Sequence, residues 1–371
     1  MSKIAFNLSS LTTYQAGVKI HTLNLIKYFK LIDSKIYIYI PKDSLSLLDS
    51  IFIKNSKIVS LPFAANSKII KLLYEQIFIP IHAFFNGVKF IHSFDYSAPI
   101  FFYGEKTITI HDLNYINNKD SFSYVQKIIR SYLYPLGIRK SKKIFTISHT
   151  VKNEILDFFR CLNIKKKINV IYNGYEHLIK DSDIDSRFDK HVLFNENDSF
   201  FISVGSLNPH KNYPRLINAF KKINSNFKLF IIGRDTNNYS NVLSKLILDN
   251  NLQEKVIIYT NISNKELSLL YKYSNALILP SLYEGFGIPI IEGLYYDKDI
   301  LCSDIKIFNE IGKEFVTFFN PYDVDDISKK INLYIDRNIN IKSRKNRKDV
   351  LNKYSWENAA KKLSCTINEI L

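Results

Sequence analysis

Two glutamates eight residues apart, Glu284 and Glu292, bracket the most informative stretch of the chain: Pro280-Ser281-Leu282-Tyr283-Glu284-Gly285-Phe286-Gly287-Ile288-Pro289-Ile290-Ile291-Glu292. An apolar run ends at Leu279, two glycines follow in a short loop, and an apolar helical pattern begins near Pro289. In open α/β sheets, ligands bind at the carboxyl ends of strands. A helix start preceded by glycines offers backbone N–H groups to a diphosphate. Glu284 would stand in the loop, and Glu292, on the helix, could accept hydrogen bonds from two neighbouring hydroxyls. The same pattern suits an ordinary strand–turn–helix with one surface and one helical glutamate, and the residues alone leave both readings open.

Two further groups could handle charge or protons. Lys211 closes the segment Val204-Gly205-Ser206-Leu207-Asn208-Pro209-His210-Lys211-Asn212 and could neutralise a phosphate, or be a solvated lysine at a helix start. His111, beside Asp112, ends the run Thr109-Ile110 and is either a working group or a satisfied strand-end pair. Asp181, Asp183 and Asp185 have the alternation of a metal-holding Asp-x-Asp, but no strand pattern precedes them, so they read as solvent-facing. No other cluster has metal-ligand spacing, and no Gly-x-Ser-x-Gly elbow is present. Neither a metal nor a cofactor is expected.

These groups need a scaffold that presents loops at strand ends. Thirteen short apolar runs serve as strand candidates: residues 3–8, 35–40, 58–61, 88–93, 107–110, 143–147 and 169–172, then 200–204, 228–232, 255–259, 276–279, 300–303 and 315–319. Most are continuous, as in parallel strands covered on both faces. Helical patterns lie between them. Pro214 suits a first helical turn, with Leu216, Ile217, Phe220 and Ile223 at helical spacing. Ser263-Asn264-Lys265-Glu266 is a capping box. The alternation predicts an α/β chain with two doubly wound, Rossmann-like domains. Their expected bounds are 1–175 and 199–354, with a polar linker at 176–198 and a last helix at 355–371 that packs back towards the first domain.

The totals agree with two globular domains: 371 residues, 46% hydrophobic and 23% charged. Three scattered cysteines, Cys161, Cys302 and Cys365, argue for reduced thiols. No signal-peptide pattern is read at the start and no run reaches the ~18 apolar residues of a membrane span, so a cytoplasmic location is expected. The formal net charge of +16 attracts phosphates of any kind. Basic runs at Arg139-Lys140, Lys142-Lys143, Lys165 to Lys167 and Lys342 to Lys348 are scattered, and without an aromatic platform they do not read as a nucleic-acid site. The segment from Lys68 to Phe78 mixes lysines with apolar residues at near-helical spacing, which suits either a core-facing helix or one resting on an anionic membrane.

Taken together, the motifs resemble glycosyltransferase family 4. The Glu284–Glu292 segment resembles its Glu-x7-Glu signature. The Val204–Asn212 segment resembles the glycine loop and Lys-Asn element, Ile232-Gly233 the next strand and its glycine, Ile171-Tyr172-Asn173-Gly174 the Asn-Gly element, and Thr109-Ile110-His111-Asp112-Leu113 the His-Asp-Leu element. Tyr74-Glu75-Gln76 with Pro80, His92-Ser93 and Pro99 resemble a subset that builds bacterial polysaccharides, O-antigen mannosyltransferases among them; Ser355-Trp356-Glu357 resembles the C-terminal helix. The order of the matches, spanning almost the whole chain, is more specific than any one of them.

The resemblance implies a GT-B fold, with the two domains facing a central cleft, and retaining transfer of a hexose from a nucleotide diphosphate sugar, with GDP-mannose the first expectation and a UDP-sugar the second. It implies a glycan or glycolipid acceptor, lipid-linked as for the family's polysaccharide builders, and hence peripheral attachment to the inner face of a membrane. It implies that Glu292 holds the donor ribose and Glu284 contacts the donor sugar. The backbone of Phe286, Gly287 and Ile288 would bind sugar hydroxyls and phosphate, together with the Gly205, Ser206 and Gly233 turns. Lys211 would pair with the diphosphate, Gly17 would allow close approach of the first domain's loop, and His111 would lie beside the sugar. Two departures stand out: Ser206 occupies the position of a usual arginine, so that Lys211 acts alone or with His210 or Arg215, and Ala16 replaces the first of a usual glycine pair. Two other readings compete: a nucleotide-sugar epimerase on the same fold, and a basic protein that binds nucleic acid or an anionic membrane.

Overall fold

All thirteen apolar runs hold strands, whose ends fall within two residues of the expected ones. The computed structural model describes residues 2–12, 17–30, 34–48, 56–63, 68–113, 124–177, 193–195, 197–235, 238–337 and 347–371. Gln15, Ala16, the aspartates from Asp181 to Asp189, and Lys342, Arg344 and Lys345 lie outside them. The chain divides into two units, Met1–Gly174 with Ser355–Leu371, and Tyr175–Tyr354.

In the first unit, β1 (Ser2–Asn7), β2 (Ser34–Pro41), β3 (Ser56–Leu61), β4 (Phe90–Ser93), β5 (Glu105–Ile110), β6 (Lys143–Thr146) and β7 (Ile168–Val170) form one parallel sheet in the order β3-β2-β1-β4-β5-β6-β7. In the second, β8 (Phe200–Val204), β9 (Lys228–Ile232), β10 (Val256–Tyr259), β11 (Ala276–Leu279), β12 (Asp299–Ser303) and β13 (Val316–Phe319) form another in the order β10-β9-β8-β11-β12-β13. Both therefore wind outward from a central strand, then reverse. The reversal lies between β1 and β4 in one unit and between β8 and β11 in the other, where doubly wound sheets bind ligands.

Burial explains the parallel pairing. All four residues of β11 and the first four of β8 are buried, as strands covered by helices on both faces must be. The helix Tyr213–Lys221 starts with Pro214 in its first turn and packs Leu216, Ile217 and Phe220 against Phe201 and Ile231. The capping box at Ser263 and Glu266 is complete, both side chains bonded to the opposite backbone N–H. The last helix, Trp356–Ile370, belongs to the first unit: Trp356, Ala360, Leu363 and Ile367 share a core with Phe6, Leu25 and Ile38. The three cysteines are free thiols. Among the described residues no helix is long and apolar enough to cross a membrane.

Candidate active site

In the second unit, two glycines bring the ends of β8 and β9 into backbone contact. The Gly205 N–H donates to the Ile232 carbonyl (2.9 Å), and the Leu207 N–H to the Arg234 carbonyl (2.9 Å). A Cβ on Gly233 would lie 1.7 Å from the Gly205 carbonyl oxygen, so only glycine fits there. Tyr213 donates its hydroxyl to the same carbonyl (2.9 Å). Burial and the nearby charge of Glu284 push that phenol well above its usual range, which keeps it a donor. The turn that follows carries Ser206, whose hydroxyl accepts from the Asn208 amide (3.0 Å). It then closes into a single 3-10 turn, Pro209–Lys211.

Lys211 and Glu284 meet across the sheet reversal. Their side chains are 73 residues apart in sequence, yet Lys211 Nζ donates to Glu284 Oε1 at 2.5 Å. The contact follows from strand order: Lys211 lies beyond the end of β8, Glu284 beyond the end of its neighbour β11. Backbone and side-chain bonds lock the two loops together. The Leu282 N–H donates to the His210 carbonyl (2.8 Å), and the buried Asn212 amide donates to the carbonyls of Pro280 (3.0 Å) and Pro321 (2.8 Å). Ser281 donates to the same oxygen of Glu284 (2.8 Å). Arg215 is held elsewhere, against Asn212 Oδ1 (2.8 Å) and over the Tyr322 ring. His210 contributes its carbonyl to the loop. Lys211 is thus the cation paired with Glu284.

The loop then enters the helix Ile288–Tyr295 through Gly287, whose φ of +90° and contact with Phe308 both exclude a side chain. Gly287, at the N-cap, brings no side-chain cap to this helix start. The Phe286 side chain is buried against Tyr354, leaving its backbone as the part at the loop, while Ile288 is half-buried. Glu292 sits one turn further along and is buried. Its two oxygens are held separately: His177 Nε2 lies 2.9 Å from Oε1, and the Tyr271 hydroxyl donates to Oε2 at 2.6 Å. Burial, then the Glu292 charge, raises the Tyr271 phenol well above its usual range, so it donates and does not ionise. His177 was not expected from sequence. It lies in a polar stretch with little periodicity, and its only signal is its place shortly after Asn173-Gly174.

His111 lies in the first unit, past the end of β5. It is buried and its Nε2 donates to the Phe94 carbonyl (2.9 Å). Its ring meets His21 edge-to-face, with centroids 4.6 Å apart. His21 Nδ1 is bonded to Asn173 Oδ1 (2.8 Å), which explains the buried Asn-Gly element. Burial is the main cause that lowers the pKa of both rings, so both are neutral near pH 7. Among the described residues, a Cβ added to Gly17, the first residue of the helix Gly17–Tyr28, would meet no atom within 4 Å.

The architecture defines a class: two doubly wound parallel sheets, with a lysine–carboxylate pair and an open helix start at one reversal point, are the units of the GT-B glycosyltransferase fold. Residues 185–351 match the model of the glycosyl transferases group 1 family. The O-antigen chain mannosyltransferase RfbU of Salmonella typhimurium is 30% identical over 239 residues, which cover 64% of this chain and 63% of that protein. The serotype-specific mannosyltransferase WbdA of Escherichia coli is 34% identical over 134 residues, 35% of this chain and 16% of that protein. The chain thus spans less than two thirds of the length of these curated relatives. HepE of Anabaena, solved with UDP and glucose, superposes with a TM-score of 0.77 at 15% identity and full coverage of both chains.

Proposed function

We propose that the chain is a retaining glycosyltransferase of family 4 that moves a hexose from a nucleotide diphosphate sugar to a lipid-linked saccharide in bacterial surface polysaccharide synthesis. The observation that carries this reading is the Lys211–Glu284 pair at the β8/β11 reversal, beside the start of the helix Ile288–Tyr295. The O-antigen mannosyltransferases among its relatives favour GDP-mannose as donor, and the likeness to HepE, solved with UDP, keeps a UDP-sugar second.

In this reading the donor diphosphate lies against Lys211 and the backbone N–H groups of Ser206, Gly287 and Ile288. The acceptor oxygen bonds to the anomeric carbon as the bond to the diphosphate oxygen breaks, and the acceptor's proton passes to the departing diphosphate on the same face. Negative charge grows on that diphosphate, so a fixed ammonium and helix start stabilise the transition state more than the ground state. They also supply the charge neutralisation for which a divalent metal would otherwise serve. Glu284 contacts the donor sugar and is not assigned as a nucleophile.

Two measurements test this reading. With purified protein, release of nucleoside diphosphate should require a lipid-linked acceptor, continue in excess EDTA, and give a product that keeps the donor's anomeric configuration. Donor consumed without acceptor, with an epimerised sugar recovered, would replace the reading by the epimerase. Loss of activity in EDTA that Mg²⁺ restores would remove the metal-free part.

The second measurement concerns Glu292. A carboxylate has about four lone-pair sites, so bonds from His177 and Tyr271 leave room for two ribose hydroxyls while fixing the group's orientation. Glu292→Ala should weaken donor binding by ~1.5–3 kcal/mol. His177→Ala should weaken it by about 1 kcal/mol, with turnover at saturating donor retained and His177→Gln recovering part of the loss. Calorimetry that finds unchanged donor affinity in folded Glu292→Ala would overturn the ribose role.

A further inference from the structure

The peptide bond between Gly205 and Ser206 has its two polar groups treated in opposite ways. The Gly205 carbonyl is crowded: the Tyr213 hydroxyl donates to it (2.9 Å), and the Gly233 backbone packs so closely that a Cβ there would fall 1.7 Å from the oxygen. The N–H of the same peptide belongs to Ser206, and it makes no hydrogen bond among the described residues. The amides on either side are paired, Gly205 N–H with the Ile232 carbonyl and Leu207 N–H with that of Arg234. One unpaired donor thus stands in an otherwise satisfied turn.

Peptide geometry makes this arrangement directional. No peptide bond among the described residues is cis. In a planar trans peptide the C=O and the N–H point opposite ways, so whatever fixes the Gly205 oxygen also aims the Ser206 N–H. Tyr213 fixes it from the core side. The ring is 1% exposed and shares a core with Phe201, Leu216, Ile217 and Ile231. The Ser206 N–H therefore points away from that core, and Ser206 itself is only half-buried. Glycine at 205 leaves the backbone free to adopt other rotations, so the phenol selects one of several orientations for this peptide.

The same phenol borders Lys211. A Cβ on Gly205 would lie 3.1 Å from the Tyr213 hydroxyl, 3.2 Å from Lys211 Cε and 3.3 Å from Lys211 Cδ. Phenol and lysine stem both lie over Gly205. Burial and then the charge of Glu284 raise the pKa of the phenol, which places it close to the carboxylate that Lys211 pairs with. One hydroxyl thus touches the peptide that presents an N–H and borders the stem that carries the ammonium.

We propose that Tyr213 is a positioning residue for the transfer: by holding the Gly205 carbonyl it aims the Ser206 N–H at the departing diphosphate. This rests on the donor reading above and deepens it. Tyr213 touches no substrate and acts through the peptide plane. An N–H held in place stabilises growing negative charge without having to turn at the moment of reaction. A hydrogen bond that served the fold alone would matter equally with and without nucleotide.

Tyr213→Phe tests this, because it removes one oxygen and keeps the ring in its core. Turnover at saturating donor should fall by about tenfold to a hundredfold, less than the loss of a whole donor group. The donor KM should change little, as for an interaction made mainly in the transition state. The melting midpoint of the second unit should fall by no more than about 4 °C. Tyr334→Phe is the matched control: its hydroxyl donates to the Asn275 carbonyl (2.9 Å), just before β11 at the opposite end of the sheet, and its loss should leave turnover unchanged. Amide NMR reads the peptide itself. GDP or UDP, whichever the wild type binds, carries the charge that the leaving group acquires, and should move the Ser206 N–H resonance downfield. In Tyr213→Phe that resonance should stay near its ligand-free position. Wild-type turnover in Tyr213→Phe, or a Ser206 amide that responds alike in both chains, would overturn the proposal and leave the donor reading standing. So would an equal loss of turnover in Tyr334→Phe, since the effect would then be one of stability. A wild-type chain that binds neither nucleotide would remove the donor reading and this proposal with it.

Discussion

Replacing Lys211 by alanine is expected to lower turnover ~10²–10³-fold, the usual effect of removing one preorganised group that stabilises developing negative charge. Lys211 pairs with Glu284 in the ligand-free chain, and in the proposed reaction its ammonium faces the departing diphosphate. Arg215, the nearest arginine in sequence, is tied to Asn212 and Tyr322. The substitution has a second effect that must be separated from the first. The two side chains are only 11% and 14% exposed, so removing the lysine strands a carboxylate that keeps the Ser281 hydroxyl as a bonded partner. Breaking a buried pair from one side costs up to ~3–5 kcal/mol of stability. Adding Glu284→Gln to Lys211→Ala should recover much of the melting temperature without recovering turnover. A Lys211→Ala protein that is folded and turns over within about tenfold of wild type at saturating donor would reduce Lys211 to a structural partner of Glu284.

That pair shows what a sequence reveals and what it withholds. Lys211 and Glu284 were each legible from local signals: glycines at strand ends, a helix start, and motif order. Their contact was not, because it depends on β8 and β11 being neighbours. Continuous apolar runs identify buried parallel strands but fit any position in a sheet, so the strand list could be read and the strand order could not. Glu292 is similar. Its place on a helix followed from spacing, but its burial depends on Tyr271 and His177, which are 21 and 115 residues away. The π-helical turn at Tyr74–Phe78 left no trace in the pattern, since Glu75 and Gln76 become interpretable only when the loop after β4 is placed against them. What stayed hidden is non-local pairing in each case.

Gly233 allows the largest stability effect to be stated. Its ideal Cβ would fall 1.7 Å from the Gly205 carbonyl oxygen and 2.7 Å from the carbonyl carbon. Both atoms belong to the backbone, so no rotamer change can relieve the overlap. Relief requires the ends of β8 and β9 to part, which strains or breaks the bonds from Gly205 to Ile232 and from Leu207 to Arg234. The turn carrying Ser206 and Lys211 would move with them. Gly233→Ala should therefore destabilise the second unit by ~4 kcal/mol or more, in the range of the most damaging single substitutions. For a unit of this size the midpoint should fall by roughly 8–16 °C. Because the two units can melt separately, calorimetry should follow each transition and not a single apparent midpoint. Gly17→Ala is the matched control: among the described residues its Cβ would meet no atom within 4 Å, and alanine suits a helix, so stability should change by less than ~0.5 kcal/mol. A Gly17→Ala protein of normal stability and reduced turnover would then show that glycine is required there by a substrate and not by the fold. Gly233→Ala melting within about 2 °C of wild type would show that the strand ends can part at little cost, and the close approach of the two glycine turns would lose its place in the account of the site.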